Sequence, residues 1–396
     1  MSTLAQLPKH FSSDVWAVLR ELFQHSFHVT LIGGATRDFI MNESLSNDLD
    51  FEIRHKDSIE GEKWEYFLNN FFQELSKKFP VEKLAYNVYK IKLTSCELEF
   101  SSPRLEIFRA DEHGHSNFDC VFSSDHSYDK AFKRRDFTCN AIGLEIRGEA
   151  PQSWNVVDPF NGLNDIANKR LHYCSDDFTK DPVRFLRAIR FHLKLQFELS
   201  NALVASFRSM NLIGLSTYYL FSENKKSNSL LFFNEFFHYV NKFELILSKT
   251  MASLCYLGNV KFKSAKNEIE IFMQSSYQGH ITKEEIQEQA AIFGIKKKIA
   301  QSLYTFMISL KRLDEEFLEL IKTQDFQQVK NLPDFLFAHS VVNFIDAYPE
   351  SAELAMSLVD KKVSLGDIGE IHIEVEHSER HLLRSYLLLR SGAIIT

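Results

Sequence analysis

The sequence has few features that would place the chain in a membrane or in an oxidising compartment. Its five cysteines are scattered, odd in number and never arranged as Cys-x-x-Cys, so neither a disulfide framework nor a zinc site is expected. No apolar run approaches the roughly 20 residues that span a bilayer. The amino terminus lacks the basic start and apolar centre of a signal peptide. These absences predict a cytoplasmic protein without a membrane partner, and they indicate no particular oligomeric state.

The charge balance excludes one class of function and leaves another open. A formal net charge of −7 argues against a protein that coats nucleic acid indiscriminately, because such binding depends on a surplus of Lys and Arg. The basic residues are nevertheless concentrated between positions 130 and 194, in the stretches AFKRRDF, NKRLHY and DPVRFLRAIRFHLK. A chain that is acidic overall can therefore still offer a local basic cleft to an anionic ligand.

Apolar periodicity divides the chain into a mixed head and a helical remainder. Alternating segments in the first part predict strands at HVTLIGG, DLDFEIR, NVYKIKL and CELEFSS. The segment GEKWEYFLNNFFQELSKKF between them has helical spacing. From about residue 175 onward the patterns are almost all helical. We predict an α/β head over residues 1–175, a helical neck and body over 176–275, and a helical body and tail over 276–396.

Several segments predict individual helices. The amino-terminal stretch FSSDVWAVLRELF predicts an amphipathic helix that begins near Ser12, Ser13 or Asp14. Later helices are predicted at DPVRFLRAIRFHLKLQF, SLLFFNEFFHYVNKFELILSKTMASL, TKEEIQEQAAIF and KKIAQSLYTFMISLKRLDEEFLELI. The 36 phenylalanines of the chain indicate that these helices pack through aromatic side chains.

Two carboxylates and a glycine turn in LIGGATRDFIMNESLSNDLDFEIR point to a triphosphate site. Asp48 and Asp50 are separated by one residue, so on a strand both side chains lie on the same face. Two adjacent carboxylates repel each other unless a cation lies between them, and hard oxygen ligands of this kind suit Mg²⁺. Gly33 and Gly34, just before a predicted helix, would let backbone N–H groups approach an anion. The alternatives are a solvated strand face for the aspartates and a hairpin or an ordinary helix cap for the glycines.

A third acid would strengthen this assignment. Glu97 and Glu99 alternate on another predicted strand, CELEFSS, and either could complete a carboxylate trio. One member of such a trio could act on an attacking hydroxyl in a two-metal scheme. Geometry alone does not choose between the two glutamates.

Four ordered blocks between about residues 30 and 200 resemble one family. GGATRD followed by DLD resembles the signature of the polymerase-beta-type nucleotidyltransferases. Three later blocks are similar to those of the class II tRNA CCA-adding enzymes and the related bacterial poly(A) polymerases: KRRDFTCNAIGLEI, VVDPFNGLNDIANKRLHYC and DPVRFLRAIRFHLKLQF. The resemblance implies a polymerase-beta-like head, with a mixed antiparallel sheet and helices, followed by an all-α neck, body and tail.

This resemblance implies a template-independent nucleotidyltransferase. Such an enzyme adds C, A or both (CCA, CC or A) to the 3′ end of tRNA, using CTP and ATP as substrates and Mg²⁺ as cofactor. Asp48 and Asp50 would hold the metal, and Glu99 matches the family's third catalytic acid. The implied nucleotide-binding residues are Gly33, Gly34, Arg37, Asp38, Arg134, Arg135, Asp136, Asn140, Asp181, Arg184, Arg187 and Arg190. Asp158 would belong to the strand that links the head to the neck.

The segment KDPVR allows two interpretations. Asp181 and Pro182 are typical of a helix start, and Arg184 three residues later can form a local ion pair with Asp181. In the functional interpretation, the carboxylate and the guanidinium instead act as a protein template. They would match the donor and acceptor of cytosine and of adenine, and would leave buried groups unpaired against guanine and uracil.

Three departures from the family pattern leave the product open. Lys180 stands where the family usually has Glu, and Tyr218 and Tyr219 replace a Glu-Arg pair in STYYLFSE, in which Glu223 is kept. Thr36 stands where Val is common. The alternatives to CCA, CC or A addition are a poly(A) polymerase of the same family and a catalytically impaired paralogue that binds tRNA.

Overall fold

The computed structural model describes most of the first three quarters of the chain. The described residues are 3–42, 44–108, 118–262, 271–272, 275–276, 282–297 and 300. Within them, no helix is both long enough and apolar enough to cross a membrane. The helix predicted at KKIAQSLYTFMISLKRLDEEFLELI lies almost entirely outside the described residues.

The chain divides into two compact units, Met1–Gly214 and Leu215–Thr396. The first unit contains the predicted head together with the DPVRFLRAIRFHLK helix. The predicted boundaries near residues 175 and 275 remain predictions.

A seven-stranded sheet is the centre of the first unit, with the strand order β3-β4-β5-β2-β1-β8-β9. The β2–β5 pair is parallel, and the other five pairs are antiparallel. The sheet is therefore mixed, as the resemblance implies. The strands of the unit are β1 Phe27–Ile32, β2 Asp48–His55, β3 Val81–Lys83, β4 Tyr89–Lys92, β5 Glu97–Ser101, β6 Arg104–Phe108, β7 Phe118–Phe122, β8 Gly143–Ile146, β9 Trp154–Val157, β10 Arg170–Leu171 and β11 Glu198–Leu199.

Seven α-helices accompany these strands in the described part of the first unit. They are α1 Ser13–Gln24, α2 Gly34–Asn42, α3 Gly61–Leu75, α4 Tyr128–Lys133, α5 Gly162–Ala167, α6 Val183–Leu195 and α7 Asn201–Ser206. Short 3-10 helices cover Thr3–His10, Ala85–Asn87, Thr138–Asn140, Pro151–Ser153, Asp176–Lys180 and Phe207–Ser209. Strands β6 and β7 form a separate antiparallel ribbon, and β10 pairs with β11.

The sheet has one aromatic face and one polar face, because side chains alternate along each strand. Phe51 and Phe100, on neighbouring strands, stack with their ring centroids 5.3 Å apart. Phe72 of α3 packs on Phe100 and stacks on Tyr89. All four rings are almost completely buried. The opposite face of β2 carries only polar side chains: Asp48, Asp50, Glu52 and Arg54.

In the described part of the second unit, four α-helices have defined bounds and no strand is present. They are α8 Thr217–Ser227, α9 Phe232–Lys242, α10 Lys249–Ala252 and α11 Lys283–Ile292, with a 3-10 helix at Cys255–Asn259. Buried phenylalanines of α9 pack edge to face on one another.

One predicted helix is wrong in its length. The segment SLLFFNEFFHYVNKFELILSKTMASL forms two helices instead of one, because α9 ends at Lys242 and α10 begins at Lys249. Glu244 has a φ of 53°, which a helix cannot accommodate, and the N–H of Leu245 bonds back to the carbonyl of Val240. The helix predicted at TKEEIQEQAAIF is confirmed as α11, and Thr282 and Glu285 form its capping box.

Candidate active site

Four carboxylates share the polar face of the sheet at the beginning of β2 and β5. The parallel register pairs Asp48 with Glu97 and Asp50 with Glu99. Asp48 and Asp50 both remain exposed to solvent, whereas Leu49 between them is buried. The sequence prediction that the two aspartates point the same way is therefore confirmed. Both candidate third acids lie beside them.

Desolvation is the largest influence on Asp50 and raises its pKa. The positive charge of Arg135 opposes this shift, and the negative charges of Glu99 and Asp48 reinforce it. Although exposed at the surface, the Asp50 carboxylate is thus closely surrounded by protein and by like charge. A cation bound here would relieve this repulsion.

Two lysines of β4 lie on the far side of the acidic row. Register pairs Lys90 with Glu99 and Lys92 with Glu97. The ammonium of Lys90 is 2.5 Å from Oε2 of Glu97 and 3.6 Å from Oε1 of Glu99. That of Lys92 is 3.7 Å from Oε1 of Glu97. The hydrogen bond from Lys90 lowers the pKa of Glu97, so this carboxylate stays ionised as the partner of a lysine.

The glycine turn is packed directly against Asp50. Gly33 has a φ of +78°, a conformation that glycine adopts without steric cost. A Cβ at this position would lie 3.3 Å from Oδ2 of Asp50 and 3.7 Å from Nη1 of Arg135. The carbonyl of Gly33 accepts a hydrogen bond from the N–H of Arg37, so α2 begins at Gly34. The turn brings the start of a helix to the metal-binding aspartates proposed from the sequence.

A chain of hydrogen bonds links the glycine turn to α6. Arg37 donates from Nε to Asp38 over 2.7 Å and from Nη1 to Oδ1 of Asn140 over 2.6 Å. Asn140 donates to Oδ1 of Asp136 over 3.0 Å. Arg187 of α6 donates from Nε to Oδ2 of Asp136 over 2.7 Å. Five of the predicted nucleotide-binding residues are thereby joined in one network.

Asp136 is the central anion of this network. Burial alone would raise its pKa, but the charge of Arg187 and the hydrogen bonds from Asn140, Arg187 and the N–H of Phe137 lower the pKa to about 2. Both of its oxygens are already engaged with protein donors. Asp136 therefore holds the side chains of Arg187 and Asn140 in place.

The two arginines before Asp136 occupy different environments. Nη1 of Arg135 donates to the carbonyl of Asn140 over 3.1 Å, and the same guanidinium lies near Gly33 and Asp50. Arg134 is enclosed, and desolvation, followed by the charges of Arg104 and Arg135, lowers its pKa to about 10. Within the described structure, the Nε atoms of Arg134 and Arg135 are buried without a hydrogen-bond partner.

The ring of Phe191 lies near three of the predicted nucleotide-binding arginines. The guanidinium carbons of Arg37, Arg187 and Arg190 lie 5.1, 5.6 and 4.2 Å from its centroid. These distances lie within the range of cation–π interactions. Phe191 itself is buried on α6. The aromatic ring thus brings the arginines of α2 and α6 together.

Asp181 and Arg184 form the helix cap and local ion pair of the simpler interpretation. Oδ1 of Asp181 accepts the N–H of Val183 over 2.9 Å, and Oδ2 is 3.7 Å from Nε of Arg184. The two Nη atoms of Arg184 donate to the backbone carbonyls of Asp177 and Arg134. Both side chains are buried. Their use as a template for the incoming base remains a prediction.

The VVDPFNG block packs against the RRDFT block. Both oxygens of Asp158 accept backbone N–H groups, from Gly162 over 2.6 Å and from Leu163 over 3.0 Å, at the start of α5. A Cβ on Gly162 would lie only 2.2 Å from the carbonyl oxygen of Thr138. The implied position of Asp158 on a strand is therefore wrong by one residue, because β9 ends at Val157. Asp158 instead binds the start of α5, which supports the segment carrying Asp136 and Asn140.

The residues that depart from the family pattern have clear local environments. Lys180 lies 2.7 Å from Asp177, so it forms a surface ion pair. Thr36 has its hydroxyl 3.0 Å from the carbonyls of both Gly33 and Ile142. In the second unit, Tyr218 leaves 73% of its surface exposed.

Sequence reasoning overlooked Lys90 and Phe191. Lys90 could have been found from the sequence, because the lysines of YKIK alternate along one predicted strand as the glutamates of ELEF do along the next. Nothing in the sequence around Phe191 indicates that arginines from two different helices contact its ring.

The donor set at the acidic row fits a divalent cation bound through few protein ligands. In the described residues no group of three or more His, Cys, Asp or Glu side chains is arranged to enclose a metal. Two adjacent aspartates are nevertheless what a Mg²⁺ site requires when triphosphate oxygens and waters complete its coordination.

Comparison with known proteins confirms the resemblance for the head. Residues 29–172 match the family model of the Poly A polymerase head domain. The chain is 35% identical over 167 residues to the CCA-adding enzyme of Buchnera aphidicola subsp. Schizaphis graminum, covering 42% of this chain and 35% of that protein. It is 32% identical over 163 residues to the Multifunctional CCA protein of Pseudoalteromonas atlantica, covering 41% and 34%. The chain thus spans about a third of the length of the curated relatives that it matches.

Solved structures extend the likeness of the fold beyond the head. A CCA-adding enzyme solved in complex with CTP superimposes with a TM-score of 0.58 at 16% identity, covering 98% of this chain and 85% of that one. At this level of identity the likeness establishes the fold: a mixed α/β head followed by helices.

Proposed function

We propose that this chain is a template-independent nucleotidyltransferase that adds C, A or both to the 3′ end of tRNA from CTP and ATP. The observation that carries the proposal is the contact of the Gly33 turn with Asp50 and Arg135, within a segment that matches the Poly A polymerase head. An anion-binding turn beside paired carboxylates is the arrangement that metal-dependent phosphoryl chemistry requires. The relatives named as CCA-adding enzymes support tRNA as the acceptor.

The reaction is attack of the RNA 3′-hydroxyl on the α-phosphate of the nucleotide, with release of pyrophosphate. Asp48 and Asp50 would hold Mg²⁺. The bound cation would lower the pKa of the attacking hydroxyl and neutralise charge on the leaving group. Glu99 lies beside Asp50 in the register and would accept the proton of that hydroxyl at a carboxylate oxygen.

Positive charge for the triphosphate would come from two directions. The N–H groups at the start of α2 and the side chain of Arg37 approach from the glycine turn, and Arg135 lies beside them. Arg187 and Arg190 approach from α6, with Asp38, Asp136 and Asn140 holding the network. Preorganised donors of this kind stabilise negative charge that develops in the transition state. Asp181 and Arg184 would favour C and A over G and U.

The remaining parts of the proposal concern the RNA and the cell. The helices of the second unit would hold the tRNA by its shape and its phosphates. We also propose a cytoplasmic location, which the cysteine pattern and the proposed tRNA substrate support.

A poly(A) polymerase is the second candidate, because the matching family model bears that name. The replacement of the usual Glu-Arg pair by Tyr218 and Tyr219 leaves base selection open. A tRNA-binding paralogue without catalysis is the third candidate.

One extension assay separates the three candidates. End-labelled tRNA transcripts that lack CCA, lack only A, or carry CCA are incubated with Mg²⁺ and with each NTP singly and in mixture. The matched control is Asp48→Ala/Asp50→Ala. Addition that stops at CC, at A or after CCA supports the proposal and identifies the product. Long A tails indicate the polymerase, and RNA binding without incorporation indicates the paralogue.

A further inference from the structure

The acidic row contains one carboxylate more than the proposed mechanism uses. One face of the parallel β2–β5 pair carries four carboxylates, with Asp48 opposite Glu97 and Asp50 opposite Glu99. Both glutamates are only partly exposed, at 31% and 40% of their side-chain surfaces. Each glutamate is next to a metal-binding aspartate of the proposed site, so a difference in their surroundings has to determine which one acts as the third acid.

The lysines of β4 make this distinction. Lys90 is the register partner of Glu99, yet its ammonium lies 2.5 Å from Glu97 and 3.6 Å from Glu99. The side chain thus leans along the strand toward the neighbouring glutamate. Lys92 adds a second, longer contact to the same Glu97 and contacts no other carboxylate within salt-bridge distance in the described structure. In the described structure, Glu97 thus has ion pairs with both lysines, and Glu99 has only the 3.6 Å ion pair with Lys90.

We propose that Lys90 is a positioning residue that withdraws Glu97 from the metal-facing set and leaves Glu99 as the third acid. The inference rests on the proposed function and deepens it. The ammonium satisfies Glu97 by a charge-assisted hydrogen bond, which is the stronger kind of contact. It also places positive charge next to a row of four carboxylates, which weakens the attraction of divalent cations to the row in the absence of nucleotide.

The consequence is specific to Lys90. Without its ammonium, Glu97 keeps only the longer contact with Lys92 and can bind a cation together with Asp48, and the row loses one positive charge. A divalent cation would then bind more tightly in the absence of nucleotide, but away from the position that suits transfer. Removal of Glu97 in the same molecule would cancel both effects, because the competing carboxylate would be gone.

The experiment compares wild type, Lys90→Met, Lys92→Met, Glu97→Gln, Lys90→Met/Glu97→Gln and Lys90→Arg in the full-length chain. Free Mn²⁺ is measured by electron paramagnetic resonance without nucleotide, and nucleotide transfer to tRNA is measured under saturating NTP. Lys92→Met is the matched control, because it removes a lysine from the same strand and from the same glutamate. Tryptophan fluorescence checks that each variant is folded.

We expect Lys90→Met to bind Mn²⁺ a few-fold more tightly and to lose roughly tenfold in kcat, because misplacement of a reacting group is costly. Lys92→Met should stay within about twofold of wild type in both measurements, since the side chain of Lys92 is exposed and an exposed charge pair contributes little. Lys90→Arg should also stay within about twofold, because it keeps the positive charge beside Glu97. The double variant Lys90→Met/Glu97→Gln should return to wild-type values.

Two results would overturn the inference. The first is identical Mn²⁺ binding by Lys90→Met and Lys92→Met, and the second is a double variant that still behaves like Lys90→Met. If Glu97→Gln alone abolished transfer, Glu97 and not Glu99 would be the third acid, which also overturns it. If wild type showed no transfer at all, the proposed function would fail, but the Mn²⁺ series would still decide the role of Lys90.

Discussion

Replacement of Asp136 by Asn should destabilise the first unit by about 2–3 kcal/mol at pH 7 and by much less in acid. The pKa of Asp136 falls from 3.8 to about 2 on folding, mainly because Arg187 and Asn140 outweigh the effect of burial. Each tenfold change in proton affinity corresponds to about 1.4 kcal/mol, which gives this magnitude. Since the folded-state pKa is the lower one, the stabilisation is complete above pH 4 to 5 and is lost as the pH falls toward 2.

The assay is urea denaturation followed by tryptophan fluorescence at pH 7, 5 and 3. All three tryptophans, Trp16, Trp64 and Trp154, lie in the first unit, so the signal reports on the unit that contains Asp136. The control is Asp57→Asn, whose side chain is 68% exposed. About half of the difference between wild type and Asp136→Asn should remain at pH 3. A difference that does not change between pH 7 and pH 3 would refute the argument, because Asp136 would then act by shape and not by charge.

Three further outcomes are expected from the geometry. Gly33→Ala should lower transfer activity at least about tenfold, measured in the extension assay, because a positive φ costs about 1–3 kcal/mol in a non-glycine residue and the methyl group would crowd Asp50; unchanged activity would contradict this. Gly162→Ala should lower the thermal midpoint by several degrees, since its Cβ would overlap the carbonyl of Thr138, whereas Gly148→Ala, with 3.5 Å to the nearest atom, should change it little. Cys139, whose pKa burial raises to about 12, and Cys174 should resist a thiol reagent at pH 8 until the chain is unfolded, while exposed Cys255 should react at once; early loss of all three thiols would contradict the packing.

Local patterns in the sequence were sufficient for four of the eleven strands, β1, β2, β4 and β5, and for the convergence of the aspartates. Asp48 and Asp50 share a face because alternation is a property of any strand, whatever it pairs with. The start of α1 at Ser13 and the run of α11 likewise depend on neighbouring residues only. Such features can be predicted from the sequence because they depend only on residues that are close together along the chain.

Features that depend on register could not be predicted in the same way. The position of Glu99 beside Asp50, and of Lys90 beside both glutamates, follows from pairing between strands that are about 40 residues apart or joined by a short turn. The meeting of Arg37 and Arg187 on Phe191 requires α2 and α6 to be packed in three dimensions. The break between α9 and α10 was missed because the positive φ of Glu244 falls on a residue type that is common within helices.

The parallel pairing of β2 with β5 also determines where the chain can tolerate changes in length. A parallel pair needs a crossover connection, which here consists of α3 and the β3–β4 hairpin between His55 and Glu97. Residues inserted at the surface of that connection leave the register untouched and cost little in loop entropy. One residue inserted within β2 before Asp50 would instead turn a carboxylate to the aromatic face and disrupt the acidic row. Chains of this architecture can therefore diverge in length between their two acidic strands while keeping the strands themselves fixed.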